Sequence, residues 1–460
     1  MSSWANSGLD FHLELAGHGK SSLVTALRQA VRSGRLQPGA TLPPSRALAL
    51  DLGMARNTVA AAYSDLVAEG WFEARQGSGT RVARVPSPDA APARPPSHVR
   101  TALMSLVPGA TDPATFPRTA WSASARRALS RAPDSAFGPG DPRGRPELRR
   151  ALAEYLARAR GVRVHPDTVV VCPGSGHGLQ VLAQALDAPT IGVEEYGLHL
   201  HRRLLERAGV ATTALELDEH GARPPTGSPA PAAVLLTPAH QFPLGGPLHP
   251  TRRTAFLEWA SSTGGLVVED DYDGEFRYDR RPVGAVQGLA PDRVAYLGTI
   301  GKSVTPALRI GWMVLPERLL DPVLAIKGPY ERWVSATDQL TLADFIDTGG
   351  LDRHVRAMRQ RYRRRRQRLV DSLAAHVPHA QVTGVAAGLH AVVELPHGTE
   401  DLAVERARRA GLALVGARLY RHPAARSPHR DAVVIGYATP PQSRFEATLD
   451  TLCTVLSDVG

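Results

Sequence analysis

The chain has 460 residues, with 54 Lys or Arg against 44 Asp or Glu, a formal charge of +10 that permits a polyanionic partner without proving one. Only two cysteines, Cys172 and Cys453, exclude a disulfide framework and a cysteine-rich zinc module. No apolar run nears the roughly 18 residues that span a bilayer. Asp10 and Glu14 stand where a secretory leader would be basic and then apolar, so a cytoplasmic multidomain protein without a membrane partner is expected.

The first elements fall before residue 84. Leu23, Leu27, Ala30 and Val31 recur at helical spacing, which predicts a helix over Ser21–Ser33, stopped by Gly34 and Pro38-Gly39. Ser45 is the expected N-cap of a short second helix ending at Gly53. A tight turn leads to a third, in which Val59, Tyr63, Leu66 and Val67 face one way and Arg56, Asn57, Thr58, Ala61 and Ser64 another. Two short helices around a tight turn form a helix-turn-helix pattern. Small outward side chains let such a helix lie deep in the major groove, and Arg and Asn at its start reach base edges or phosphates. Two β-like runs then flank Gln76-Gly77-Ser78-Gly79-Thr80, a hairpin with Arg75 and Arg81 beside it, placed as a wing.

SGRLQPGATLPPSRALALDLG, ARNTVAAAYSDLVAEG and GSGTRV, in that order, resemble the GntR-type winged helix-turn-helix, with Pro44 where that family usually has Ser. The resemblance implies DNA contacts from Arg46, Arg56, Asn57, Thr58 and Arg75, and from the wing tip Gly77, Ser78, Gly79 and Thr80. It implies operator DNA, bound as a dimer. The head is assigned residues 1–83. Five prolines between Arg84 and Arg100 mark an extended spacer over 84–103.

The body is expected to be α/β. Four β-like runs, TVVVC (168–172), AAVLL (232–236), GLVVE (265–269) and VAYLG (294–298), each end in a polar or Gly-rich cluster. Strand and helix alternation predicts a mainly parallel sheet, whose ligands bind at the carboxyl ends of the strands. The clusters name the chemistry. Ser175 and Gly176 open a helix, where free N–H groups and the helix dipole attract an anion. Thr299 and Arg309, on either side of Lys302, can add a hydroxyl and a guanidinium to the same phosphate. Asp270 directly follows a buried strand and needs a cationic partner, such as a protonated pyridine nitrogen. Tyr272 can hydrogen-bond a phenolic oxygen, and Lys302 can form a Schiff base. Phosphate, aldehyde, phenol and pyridine nitrogen together describe pyridoxal 5′-phosphate. Taken singly, each feature has a plainer reading: a surface lysine, a solvated or metal-binding acidic loop, an ordinary glycine turn.

Their joint order resembles the fold-type I, aspartate-aminotransferase-like enzymes from about Leu106 to the C-terminus. FGPGDPRGRPELRRALAEYLARARGV, TPAHQFPLGG, EDDYDGEFRYDRRPVGAVQGL and GTIGKSVTPALRIGW carry the match. With the winged head, they resemble the MocR-type regulators, a GntR-type reader fused to an aminotransferase-like body. The resemblance implies a large domain over 104–350 and a smaller α/β domain over 351–460. Lys302 would be the Schiff-base lysine, Asp270 the pyridine partner and Tyr272 the phenol partner. Ser175, Gly176, Thr299 and Arg309 would hold the phosphate. It further implies a head-to-tail homodimer.

The departures concern the substrate side. Gly301 replaces a frequent Ser. Leu198 falls where a ring-stacking Tyr is usual, with Tyr196 nearby. Val434 stands where aminotransferases place the arginine for the substrate carboxylate, and Arg430 is out of register. These favour a regulator that senses the cofactor or an amine or amino-acid-like effector. The alternative is an active aminotransferase with an accessory head; residual transaminase-type chemistry is compatible with either. The run RQRYRRRRQR (359–368) invites a nucleic-acid reading but is read first as a solvated amphipathic helix joining the lobes, since Val355, Met358, Tyr362 and Leu369 keep roughly helical spacing; such a helix can still add a nonspecific phosphate attraction, seen as a steeper salt dependence.

Overall fold

The computed structural model describes residues 15, 17, 19–75, 79–83, 104–278, 283–331 and 333–459. Gly77, Ser78 and the proline-rich segment 84–103 lie outside the described residues. The chain forms two compact units, residues 1–101 and 102–460.

In the first unit, α1 (Lys20–Arg32), α2 (Ser45–Asp51) and α3 (Arg56–Ala68) precede a hairpin of β1 (Phe72–Arg75) and β2 (Gly79–Val82). The apolar stripe of α1 (Leu23, Val24, Leu27, Ala30) and that of α3 (Val59, Ala62, Tyr63, Leu66) are buried against each other. Each fully buried Leu or Val contributes roughly 1.5–3 kcal/mol relative to exposure. The Tyr63 hydroxyl donates to the Pro43 carbonyl at 2.9 Å, tying α3 to the approach of α2. Ser45 is not a cap: Pro44 holds the N-cap position, and Ser45 is the first helical residue with no capping bond. In the hairpin Phe72 pairs with Val82 and Arg75 with Gly79.

The second unit opens with β3 (Met104–Ser105), α4 (Arg118–Arg131) and α5 (Pro146–Arg160). Then follow β4 (Val169–Cys172), α6 (Ser175–Leu186), β5 (Thr190–Glu194), α7 (His199–Arg207) and β6 (Ala211–Leu215). A short hairpin, β7 (Leu217–Asp218) and β8 (Gly221–Ala222), leads to β9 (Ala233–Leu236), α8 (Pro250–Thr263), β10 (Leu266–Asp270), β11 (Val294–Thr299) and β12 (Gly311–Val314). The seven-stranded sheet has the order β4-β12-β11-β10-β9-β5-β6. β12 alone runs antiparallel to its neighbours. Strands covered on both faces read as continuous apolar runs, as VVVC and AVLL do here. All four strands expected from the sequence are present within a residue or two.

The reversed strand has a consequence for the site. Because β12 runs the other way, its first residue, Gly311, lies at the edge where β4 and β11 end, opposite Cys172 and Thr299. A Cβ on Gly311 would lie 2.7 Å from the Gly174 Cα and 2.8 Å from the Ser175 nitrogen. Only glycine lets these backbones come so close.

Helices α9 (Leu320–Lys327), α10 (Ala336–Asp347) and α11 (Gly350–His376) lead to the C-terminal lobe. There β13 (Gln381–Thr383), β14 (Ala391–Glu394), β16 (Val415–Gly416) and β17 (Ala432–Ile435) form an antiparallel sheet of order β13-β14-β17-β16. Helices α12 (Glu400–Arg409) and α13 (Phe445–Ser457) accompany it. The arginine run is part of the single 27-residue helix α11, whose inner face buries Leu351, Val355, Tyr362 and Leu369. β3 pairs in parallel with β15 (Leu412–Ala413), so the start of the body belongs with the C-terminal lobe.

Candidate functional site

The strand ends supply one cavity of about 490 Å³, within the usual size for small-molecule sites. Ser175, Gly176, Asp270, Tyr272, Thr299, Lys302 and Arg309 all line it, although up to 134 positions separate them.

Its anion end is built from backbone. Helix α6 starts at Ser175 behind Gly174, which has a φ of +96°, and no side chain caps it. Its first N–H groups are therefore free to donate to an oxyanion. Arg309 sits in the left-handed region at φ +51°, and its guanidinium donates to the Pro173 carbonyl at 2.9 Å beside this helix start. The Thr299 hydroxyl donates to the Ile310 carbonyl at 3.3 Å and accepts the Gly301 N–H at 3.0 Å, which turns the chain toward Lys302.

The Lys302 amine donates to the Gly109 carbonyl. Desolvation lowers its pKa from the ordinary lysine value, opposed by Asp270 and Asp273. This favours the neutral, nucleophilic amine. Asp270 is buried, and its Oδ1 has no hydrogen-bond partner. Burial, and then the neighbouring Asp271, push its pKa up to about 7. A buried carboxylate in that condition is suited to a cationic ring N–H. The Tyr272 hydroxyl donates to the His240 carbonyl at 3.1 Å and also lies 3.1 Å from the His240 Nδ1. His240 Nδ1 in turn meets Asp273 Oδ2 at 3.0 Å. These features fit pyridoxal 5′-phosphate: an uncapped helix start with a guanidinium for phosphate, an amine for aldehyde, and an orphaned buried carboxylate for the pyridine nitrogen.

Several lining residues were not singled out by the sequence. His201 Nε2 lies 3.8 Å from Asp270 Oδ2, and burial lowers its pKa to about 4, which keeps it neutral. His390 is likewise buried and lowered to about 3. Leu198, at the expected ring-stacking position, lines the cavity, while Tyr196 does not. The Tyr196 ring is buried with Phe242, Tyr420 and Val434, and its hydroxyl accepts the Arg430 N–H at 3.2 Å. Val434 is fully buried in that cluster, and Arg430 lines a separate groove with Glu394 and Asp431. The Arg202 guanidinium, which does line the cavity, is held by the carbonyls of Gly197, Tyr420 and Arg421.

In the head, Arg46, Arg56, Asn57, Arg75 and Gly79 are exposed, and Thr58 and Thr80 are half-buried. Among the described residues no acidic group pairs with Arg46, Arg56 or Arg75. By contrast, Lys20 pairs with Asp65 at 2.8 Å and Arg28 with Glu69 at 2.7 Å. No side chain caps α3, so its first N–H groups point outward beside Arg56 and Asn57.

Among the described residues, no helix is long and apolar enough to cross a membrane. Residues 20–82 match the family model "Bacterial regulatory proteins, gntR family", and residues 109–415 match "Aminotransferase class I and II". The chain is 34% identical to the HTH-type pyridoxine biosynthesis transcriptional regulator PdxR of Corynebacterium glutamicum, over 89% of this chain and 91% of that one. It is 32% identical to the probable rhizopine catabolism regulatory protein MocR of Rhizobium meliloti, over 90% and 89%. The body shares its fold with an archaeal alanine:glyoxylate aminotransferase, with a TM-score of 0.70 at 23% identity, over 77% of this chain and 91% of that one. A GntR-type reader at the N-terminus, an aminotransferase-like body, and MocR- and PdxR-type transcriptional regulators as relatives over most of its length make this chain a member of the MocR-type transcriptional regulators.

Proposed function

We propose that the body carries pyridoxal 5′-phosphate on Lys302 and uses its state, or that of an amine effector bound there, to bias DNA binding by the head. When bound, the cofactor supplies an aldehyde that captures primary amines and a ring that withdraws electrons. Lys302 would hold that aldehyde. Asp270 would stabilise the protonated ring nitrogen, with neutral His201 behind it. Tyr272 would orient the phenolic oxygen. Ser175, Gly176, Thr299 and Arg309 would bind the phosphate. The observation that carries this reading is the convergence of all seven residues on one cavity, in which the buried Asp270 carboxylate has an oxygen, Oδ1, without a hydrogen-bond partner.

Val434 within an apolar cluster, and Arg202 engaged by three carbonyls, favour sensing over turnover of amino acids. Arg46, Arg56, Asn57, Thr58, Arg75 and the wing (Gly77, Ser78, Gly79, Thr80) would contact the operator. The working form would be a cytoplasmic head-to-tail homodimer. Coupling requires the ligand to favour one arrangement over another. One route is short: Lys302 bonds Gly109, which lies four residues beyond β3, where the linker ends.

The test is spectroscopic. Purified protein supplied with the cofactor should show visible absorbance that Lys302→Ala abolishes, and an unchanged spectrum in the variant would assign the cofactor elsewhere.

A further inference from the structure

We propose that the outward face of α11 is a second, sequence-independent DNA surface, on which Arg353, Arg356, Arg363 and Arg364 attract the phosphates of duplex DNA. The proposal rests on DNA being the partner of this chain. It adds a site that the winged head does not supply.

The helix geometry groups these four. At about 100° per residue they fall within an arc of roughly 100°, and at about 1.5 Å per residue they extend over roughly 16 Å of axis. All four are exposed, and none has an acidic partner among the described residues. Four of their helix-mates, Arg359, Arg361, Arg365 and Arg368, are engaged. Arg361 pairs with Asp112 at 2.7 Å, and Arg368 bonds Glu446 at 3.0 Å. Arg359 donates to the Glu275 carbonyl, and Arg365 to those of Tyr437 and Ala438. The helix's own acids are also taken, Asp352 by Arg158 at 2.8 Å and Asp371 by Gln367 at 2.8 Å.

An ordinary solvated helix interleaves both signs. Other surface helices of this protein do so: Arg150 meets Glu154 at 2.9 Å, and Arg408 and Arg409 share Glu405 at 2.7 and 2.9 Å. The α11 stripe departs from that pattern on one face only. The opposite face is locked into the core by Leu351, Val355, Tyr362 and Leu369, so the guanidiniums stand on a fixed support. The charge distribution agrees. Residues 1–85 carry a net +3 of the chain's +10. Duplex DNA presents about one charge per 1.7 Å of axis, enough to face every arginine in the stripe.

The test uses the full chain with its cofactor and a mixed-sequence duplex of about 60 base pairs, because the contact is to backbone. Binding is measured across a salt series for wild type and for R353Q/R356Q/R363Q/R364Q. Each phosphate contact contributes about 0.9 to the slope of log K against log salt, so the variant should be shallower by up to about 3.6. Its visible absorbance and thermal transition should match wild type. If the quadruple variant fails that control, R356Q and R363Q are measured singly, each expected to flatten the slope by about 0.9. Arg56→Ala, tested in parallel, reports the head alone. Loss of binding in that variant with a normal slope in the α11 variant would overturn the proposal and leave the head reading intact. Reduced binding to polyglutamate with an unchanged DNA slope would assign the face to acidic protein, and would overturn it too.

Discussion

Replacing Asp270 with Asn should stabilise the cofactor-free protein while weakening its hold on the cofactor. The Asp270 pKa rises from 3.8 to about 7 in the fold, chiefly through desolvation. A folded-state pKa above the unfolded one means that the folded protein binds the proton more tightly. Stability from this group is therefore full below about pH 4 and is lost as pH rises toward 7. The whole shift corresponds to roughly 4 kcal/mol. An asparagine at the same place keeps a buried, poorly bonded amide, costing about 1–3 kcal/mol of its own. The net gain for cofactor-free Asp270→Asn at pH 8 should then be about 1–3 kcal/mol, and it should fall substantially by pH 5. Urea unfolding of stripped protein at pH 5, 6.5 and 8 measures this. With cofactor present the order should reverse, because the variant has no carboxylate to meet a ring cation. A variant that is less stable than wild type at pH 8 without cofactor, or a difference that does not change with pH, would refute the reasoning.

Other substitutions probe neighbouring parts. Arg160→Met removes the guanidinium that grips buried Asp271 at 2.6 and 3.2 Å, and should cost about 3–5 kcal/mol in urea unfolding. Adding Asp271→Asn should recover part of that loss, and no recovery would mean that packing, not the orphaned charge, sets the cost. Tyr272→Phe should keep the cofactor but shift its visible maximum and the pH at which its colour changes; identical spectra would free Tyr272 of any role at the phenolic oxygen. Arg56→Ala should weaken binding to DNA from upstream of the protein's own coding sequence by about 1–3 kcal/mol in a gel shift if it reads a base edge. Equal affinity would remove Arg56 from the interface.

Much of this architecture is legible in sequence because the parallel strands are buried on both faces. Runs such as VVVC and LVVED announce themselves by composition, and the residue that ends each run marks the ligand edge. Lys302, Asp270 and Ser175 could be named for that reason. His201 and His390 could not. Their place at the cavity depends on how α7 and the C-terminal lobe pack, and a single His carries no periodic signal of that packing. Tyr196 shows the converse: an aromatic two residues before Leu198 looks like a ring-stacking candidate, but the chain turns it into the cluster around Val434. The reversal of β12 was equally hidden, since GWMV has the same apolar character whichever way it runs. Ser45 misled because a serine before a helix suits a cap, whereas here Pro44 holds the cap position one residue earlier.

The pairing of β3 with β15 also sets an order of assembly. The core of the first unit is drawn from residues 23–82, so all its partners have been synthesised long before the body is complete. Met104 and Ser105, by contrast, must wait for Leu412 and Ala413, more than three hundred positions later. The reader can mature on the nascent chain as an independent unit, as N-terminal domains commonly do. The strand that follows the linker closes among the last contacts. A chain cut short before residue 412 would therefore keep a folded head beside an aminotransferase-like body that cannot close its first strand pairing.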